Sequence, residues 1–139
     1  MLKDIYNQEV TILNKLKRTD SGTNKDVWYK THLTGVGWYT NTDRTVNTSG
    51  VVVGTYKTVL IPFTGKYLKY KDWKISDKGN YYTMSNGDYI VLGNVDEDVT
   101  DTNVIQVMQS YGEDCCVVKG ITVAHERFGA HIELKIEGV

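Results

Sequence analysis

Residues 26–40, DVWYKTHLTGVGWYT, decide the fold. Val27, Tyr29, Thr31 and Leu33 alternate with Trp28, Lys30 and His32, and beyond Gly35 the alternation resumes at Val36, Trp38 and Thr40. A period of two is that of a strand with unlike faces, and a phase break at glycine marks a bulge. One long strand with a bulge near Gly35 and Gly37 is therefore expected. The stretch Asn41–Gly54 is rich in Thr, Asn and Gly, with Asn47-Thr48-Ser49-Gly50 as its tip, and Thr55–Pro62 reads as the returning strand. Val27–Pro62 is thus expected to form a long hairpin. Its far end, Asn41–Gly54, is expected to be extended and mobile, disordered in an isolated subunit and ordered by neighbours.

Outward from this hairpin, Val10–Leu16 reads as a first strand, after a short lead from Leu2 to Tyr6. Beyond Pro62, the segment Thr64–Tyr82 interleaves Tyr67, Tyr70, Trp73, Tyr81 and Tyr82 with lysines. Asn86-Gly87-Asp88 then turns the chain into the apolar strand Tyr89–Leu92. One helix is expected, capped by Thr100-Asp101, with Val104, Ile105, Val107 and Met108 at helical spacing and Gly112 as its stop. Cys115–His125 and His131–Ile136 alternate again and form a terminal hairpin joined at Arg127-Phe128-Gly129. The whole chain has 17 Val, 16 Thr and 10 Tyr against 2 Ala, a bias toward side chains that suit a pleated surface. The expected architecture is mainly β: a small β-barrel or sandwich with a long hairpin and one short helix, as a single domain over residues 1–139.

A near-neutral balance, 16 Lys and Arg against 17 Asp and Glu, excludes a domain that binds nucleic acid through overall positive charge. No apolar run reaches the roughly 20 residues of a membrane helix, and Met1-Leu2-Lys3-Asp4 does not read as a secretory signal, so a soluble, unexported chain is expected. The phosphate-loop, dinucleotide, zinc-protease and nucleophile-elbow motifs are all missing from the sequence, and Gly35-Val36-Gly37 is read as a bulge. Adjacent Cys115 and Cys116 point to opposite faces of a strand and are read as reduced thiols. His125, Glu126 and His131 form the one His and carboxylate cluster, but the two histidines lack a third ligand of suitable spacing. No metal, cofactor or catalytic residue is assigned.

The charge is unevenly distributed. Between Gly65 and Lys78, five lysines face Asp72 and Asp77, whereas Asn94–Asp114 holds six acids and no Lys or Arg. Opposite patches suit head-to-tail packing of identical subunits. The basic stretch, with Tyr67, Tyr70 and Trp73, is also compatible with stacking against nucleic acid.

The start Met1-Leu2-Lys3-Asp4-Ile5-Tyr6, the segment Val27-Trp28-Tyr29-Lys30, the strand end Gly37-Trp38-Tyr39 and Ile61-Pro62-Phe63 carry a resemblance, as do Ile121-Thr122-Val123, His125-Glu126-Arg127-Phe128-Gly129 and His131-Ile132-Glu133-Leu134. Together they resemble a family of small structural proteins of tailed phages and prophages of Gram-positive bacteria, similar to head-completion proteins of the virion neck. The resemblance implies a non-enzymatic β-barrel subunit, made in the host cytoplasm and placed in the virion neck. There it would form a homo-oligomeric ring around the DNA channel between portal or adaptor and tail proteins, with non-specific DNA contact possible. Subunit or partner contacts are then expected at Asn41, Arg44, Asn47 and Ser49 of the hairpin end. Further contacts are expected at Lys66, Lys69, Lys71 and Trp73, and at Asp96, Asp98 and Asp101. The competing expectation is an OB-like barrel that grips single-stranded nucleic acid or carbohydrate through Tyr67, Tyr70, Trp73 and the lysines.

Overall fold

The computed structural model describes residues 7–47, 50–62, 66–125 and 132–138, with side chains over 7–40, 57–62 and 66–121. Six strands, β1 (Gln8–Leu16), β2 (Val27–Asn47), β3 (Gly50–Pro62), β4 (Tyr89–Leu92), β5 (Cys115–His125) and β6 (Ile132–Gly138), close into a barrel. The order around it is β1-β2-β3-β6-β5-β4 and back to β1, and every pairing is antiparallel. Three short helices lie in the connections: α1 (Arg18–Ser21), α2 (Tyr70–Trp73) and α3 (Val104–Ser110). The barrel and the long hairpin were expected from the sequence, but the single helix was not enough. α1 and α2 are one-turn elements of four residues, too short to leave a period that a sequence window can detect.

β1 explains the closure. Val10 and Ile12 point into the barrel with Val36, Val59, Ile61, Ile90, Cys116 and Val118, while Leu13 and Val91 point outward under Val95, Val99, Val104 and Met108. A strand buried on both faces shows no clean alternation, which is why the apolar residues Val10, Ile12, Leu13 and Leu16 keep no period of two. The cysteines follow the same rule. Cys116 faces the inner core and Cys115 the outer one, and both are free. α3 supplies the outer cover; its preceding loop is fixed by Asn103, whose Oδ1 accepts from the Thr100 amide (2.7 Å) and whose Nδ2 donates to the Asp98 carbonyl (2.9 Å). Asn103 occupies the N-cap position, one turn later than the expected Thr100-Asp101 cap.

The bulge in β2 sits where the phase broke. Gln8 opposes Val36 while Val10 opposes Leu33, so β2 carries one extra residue, and Gly35 takes φ +69° there. Gly37 pairs regularly with Leu60. The expected mobile end over Asn41–Gly54 is a regular ladder from Asn41 opposite Tyr56 to Asn47 opposite Gly50. Thr42, Thr45, Val46 and Val51–Val53 are β-branched, and a two-residue connection lets both strands run to its edge. The lead Leu2–Tyr6, the tip residues Thr48 and Ser49, and the Arg127-Phe128-Gly129 turn with Glu126 and His131 lie outside the described residues.

A buried polar knot ties β1 to the chain entering β4. Asn14, Thr83 and Asp88 are each 1% exposed or less. Asn14 pairs with the Thr83 backbone as a strand neighbour would, its amide donating to the carbonyl and its Oδ1 accepting from the amide (3.2 Å). Asp88 accepts from Asn14 Nδ2 (3.0 Å), the Lys15 amide (3.1 Å) and the Ser85 amide (3.0 Å). Its own carbonyl takes the Val118 amide (2.8 Å), so one turn binds β1 and β5 together. Thr11 repeats the device above it, donating to the Gly93 carbonyl (2.8 Å) and accepting the Val95 amide (3.1 Å).

Burial pushes Asp88 up to about 6, against the three donors and the Lys15 charge that favour the carboxylate. Between about pH 4 and pH 6 the folded chain holds a proton that the unfolded chain releases. Stability therefore falls as pH rises through this window, by up to about 3 kcal/mol from this group, and levels off above it. Asp20, whose carboxyl is lowered chiefly by the Tyr70 hydrogen bond, acts in the opposite sense and below this window. Urea unfolding of wild type and Asp88→Asn at several pH values is expected to show this slope in wild type and its loss in the variant. Asn14→Ala, which strands the Thr83 amide and carbonyl and leaves Asp88 with two of its three donors, is expected to cost about 2 kcal/mol or more.

Candidate functional site

The basic stretch folds around an aromatic cluster. Trp73 is fully buried, edge-on to Tyr29 (5.8 Å between ring centroids) and tilted against Tyr70 (5.8 Å). Lys78 lies over both Trp73 (5.4 Å) and Tyr29 (5.7 Å), and its ammonium donates to the Lys74 (2.8 Å) and Ser76 (3.3 Å) carbonyls. The Tyr70 hydroxyl donates to Asp20 (2.7 Å) and accepts from the Lys17 amide (3.0 Å), while Lys74 reaches the same Asp20 at 3.4 Å. Lys74 and Lys78 are thereby committed to holding this segment on β2 and α1. Lys66, Lys69 and Lys71 are exposed, and their ammonium groups have no hydrogen-bond or ion-pair partner among the described residues. Nearby Ile75 is 83% exposed.

This geometry corrects one expectation. Trp73 was read as a contact residue, yet its ring is wholly enclosed and presents no surface to a neighbour or to a base. Tyr70 is likewise engaged through its hydroxyl, which burial and the Asp20 hydrogen bond push up to about 12. The stacking platform required by an OB-like binding module is therefore absent at Tyr70 and Trp73. Lysine stems and ammonium groups cover the aromatic faces that a base would need.

The acidic stretch is set up differently. Lys30 donates to the Val95 (3.2 Å) and Glu97 (3.0 Å) carbonyls and pins the loop, leaving its carboxylates outside. Glu97 accepts from the Tyr111 hydroxyl (2.6 Å), the main reason that phenol is pushed up to about 12, and Asp96 accepts from Asn94 (3.0 Å). Asp98, Glu113 and Asp114 are exposed, while Asp101 is half-buried and lines a cleft with Thr23, Lys25, Asp26, Thr100 and Thr102. Asp101 is thus separated in role from Asp96 and Asp98. Ile105, on the solvent side of α3, is 64% exposed.

The two stretches rest on opposite sides of the barrel wall. The basic one packs through Tyr67, Tyr82 and Met84 onto the inner core, and the acidic one packs through Val95, Val99 and α3 onto the outer core. Asn41, Arg44 and Asn47 belong to the β2 ladder, and Ser49 lies outside the described residues.

The remaining reactive groups are muted. Burial pushes the Cys115 thiol up to about 11 and Cys116 up to about 12, so both are protonated at neutral pH. Cys115 Sγ sits 3.7 Å from Met108 Sδ, and His32 Nε2 lies 3.6 Å from Glu9. Among the described residues, no group of three or more His, Cys, Asp or Glu is placed to hold a metal ion, and no helix is long and apolar enough to cross a membrane. Sequence reading passed over the commitment of Lys74 and Lys78, and nothing in a run of five lysines distinguishes a bonded one from a free one.

Trp73→Ala is expected to destabilise the domain by about 3–5 kcal/mol, the cost of emptying a fully enclosed indole site. Lys71→Ala is expected to change stability by no more than about 0.5 kcal/mol. Thermal or urea unfolding of the two variants checks the contrast.

Residues 5–139 match a family described as a family of unknown function (DUF6751). No curated protein and no solved structure matches the chain. The match runs through every strand of the barrel and both charged excursions, and the chain belongs to this DUF6751 family.

Proposed function

We propose that this protein is a non-enzymatic structural subunit of a tailed-phage virion. In this reading it forms a homo-oligomeric ring in the neck that joins portal to tail around the DNA channel. The observation that carries the reading is the pair of opposite, solvent-exposed charges on two sides of one barrel wall. Lys66, Lys69 and Lys71 lie on the inner-core side, and Asp96 and Asp98 on the outer-core side. A surface that offers plus to one neighbour and minus to the next is heterologous, and such contacts close into a ring when the rotation between copies divides a full turn. The sequence resemblance to neck proteins supplies the location. The exposed Ile75 and Ile105 give each charged face an apolar element that a partner would cover.

Lys69→Glu with Lys71→Glu is expected to slow assembly and weaken it by about 1 kcal/mol per pair without unfolding the domain. Combining it with Asp96→Lys and Asp98→Lys is expected to restore assembly, and sedimentation as a function of concentration and salt reads both. If the lysines face the DNA channel instead, the double mutant assembles like wild type, the compensating change has no effect, and the head-to-tail charge pairing is wrong.

A further inference from the structure

The ladder from Asn41–Tyr56 to Asn47–Gly50 runs beyond the barrel. β1 accompanies β2 only as far as Val36, and β6 accompanies β3 only from Lys57 onward. Seven residue pairs, roughly 20 Å of two-stranded ribbon, therefore have no strand on either outer edge among the described residues. A free ribbon of this kind is marginal in water.

Natural edges are blunted by lysine, proline, bulges or inward charges. This ribbon has none of these from Thr45 to Tyr56. The run TVNTSGVVVGTY contains no charged residue and no proline, and its register from Asn41 to Asn47 is unbroken. Three consecutive valines, Val51–Val53, add high strand propensity. Such an edge is a template for another strand.

We infer that the ribbon edges are covered by the ribbons of neighbouring copies of this chain, β3 of one beside β2 of the next, as a continuous inter-subunit sheet. The occupant follows from the geometry. β2 and β3 run in opposite directions, so a rotated copy placed beside β3 presents β2 antiparallel to it, and the same junction repeats at every subunit. Each copy gives one edge and receives the other, the head-to-tail relation that the opposite charged stretches also require. The inference rests on the proposed ring but not on what the ring joins.

A two-residue connection closes on a hydrogen-bonded pair, so Asn47–Gly50 and Thr45–Val52 point their amides at each other, while Arg44 and Val53 point theirs outward. Val53→Pro removes an outward donor and spares the ribbon's own ladder, whereas Val52→Pro breaks the ribbon. The test measures oligomer mass by sedimentation and amide exchange over residues 42–46 and 51–55, with tryptophan fluorescence from Trp28, Trp38 and Trp73 reporting the barrel.

The expected result is that wild type assembles with these amides protected, while Val53→Pro keeps a folded barrel and loses assembly at least tenfold in affinity. Assembly of Val53→Pro as tight as wild type overturns the edge pairing and leaves the ring standing. A wild type that stays monomeric at every concentration overturns both readings. A monomer with protected ribbon amides shows that another segment of the same chain covers the edge, and also overturns the inference. If Val53→Pro unfolds the barrel, exchange in wild-type assembly against wild-type monomer decides: equal rates at Arg44 and Val53 sink the proposal.

Discussion

Burial of β1 on both faces is the constraint from which the rest of the structure follows. A strand that points Val10 and Ile12 inward and Leu13 outward needs a barrel on one side and a cover on the other. The cover is the 94–111 excursion with α3, and the barrel needs β4 beside β1 to close. β4 has only four residues, too few for its ladder to fix its register alone. The Asn14–Thr83–Asp88 knot does so from one end and Thr11 from the other. Asn14 and Asp88 are tolerated at 1% exposure because their polar atoms meet partners, whereas the Thr83 hydroxyl, the Tyr82 hydroxyl and the Trp73 indole N–H are buried without one.

The same logic divides the charged side chains by job. Lys15, Lys17, Lys30, Lys74 and Lys78 lie over rings, bond carbonyls or meet Asp20 and hold excursions to the barrel. Of the lysines whose ammonium groups have no partner among the described residues, Lys66, Lys69 and Lys71 share one stretch, Lys25 and Lys119 stand apart from it, and Asp96 and Asp98 lie across the barrel wall. The thiols of Cys115 and Cys116 are buried and protonated, and the two charged stretches and the β2–β3 ladder are the features on which the proposed assembly rests.

The ribbon also explains why a polar, glycine-containing stretch reads as a mobile end. Composition that lacks large apolar side chains gives no core signal. What holds it as a strand is β-branching and a tight connection, both local properties that are weak on their own.

The strand-rich class, the long hairpin, the bulge at Gly35, the 104–110 helix and the opposite faces of Cys115 and Cys116 are legible in the chain alone. Each of these is written in a period of two, a period of 3.6 or a glycine that takes positive φ. That Trp73 is a buried anchor, that Lys74 and Lys78 are bonded while Lys69 and Lys71 have no side-chain partner among the described residues, and that Asp88 is a buried carboxylate emerges only from the folded arrangement. These depend on which segments, distant in the chain, meet across the barrel. Asn14 meets Thr83 and Asp88 some seventy residues later, and Tyr29 meets Trp73 in the same way. Periodicity reports which face of an element is buried. It carries no information about which residue lies on the other side of the contact, and that partner sets the charge state, the exposure and the role of each polar side chain.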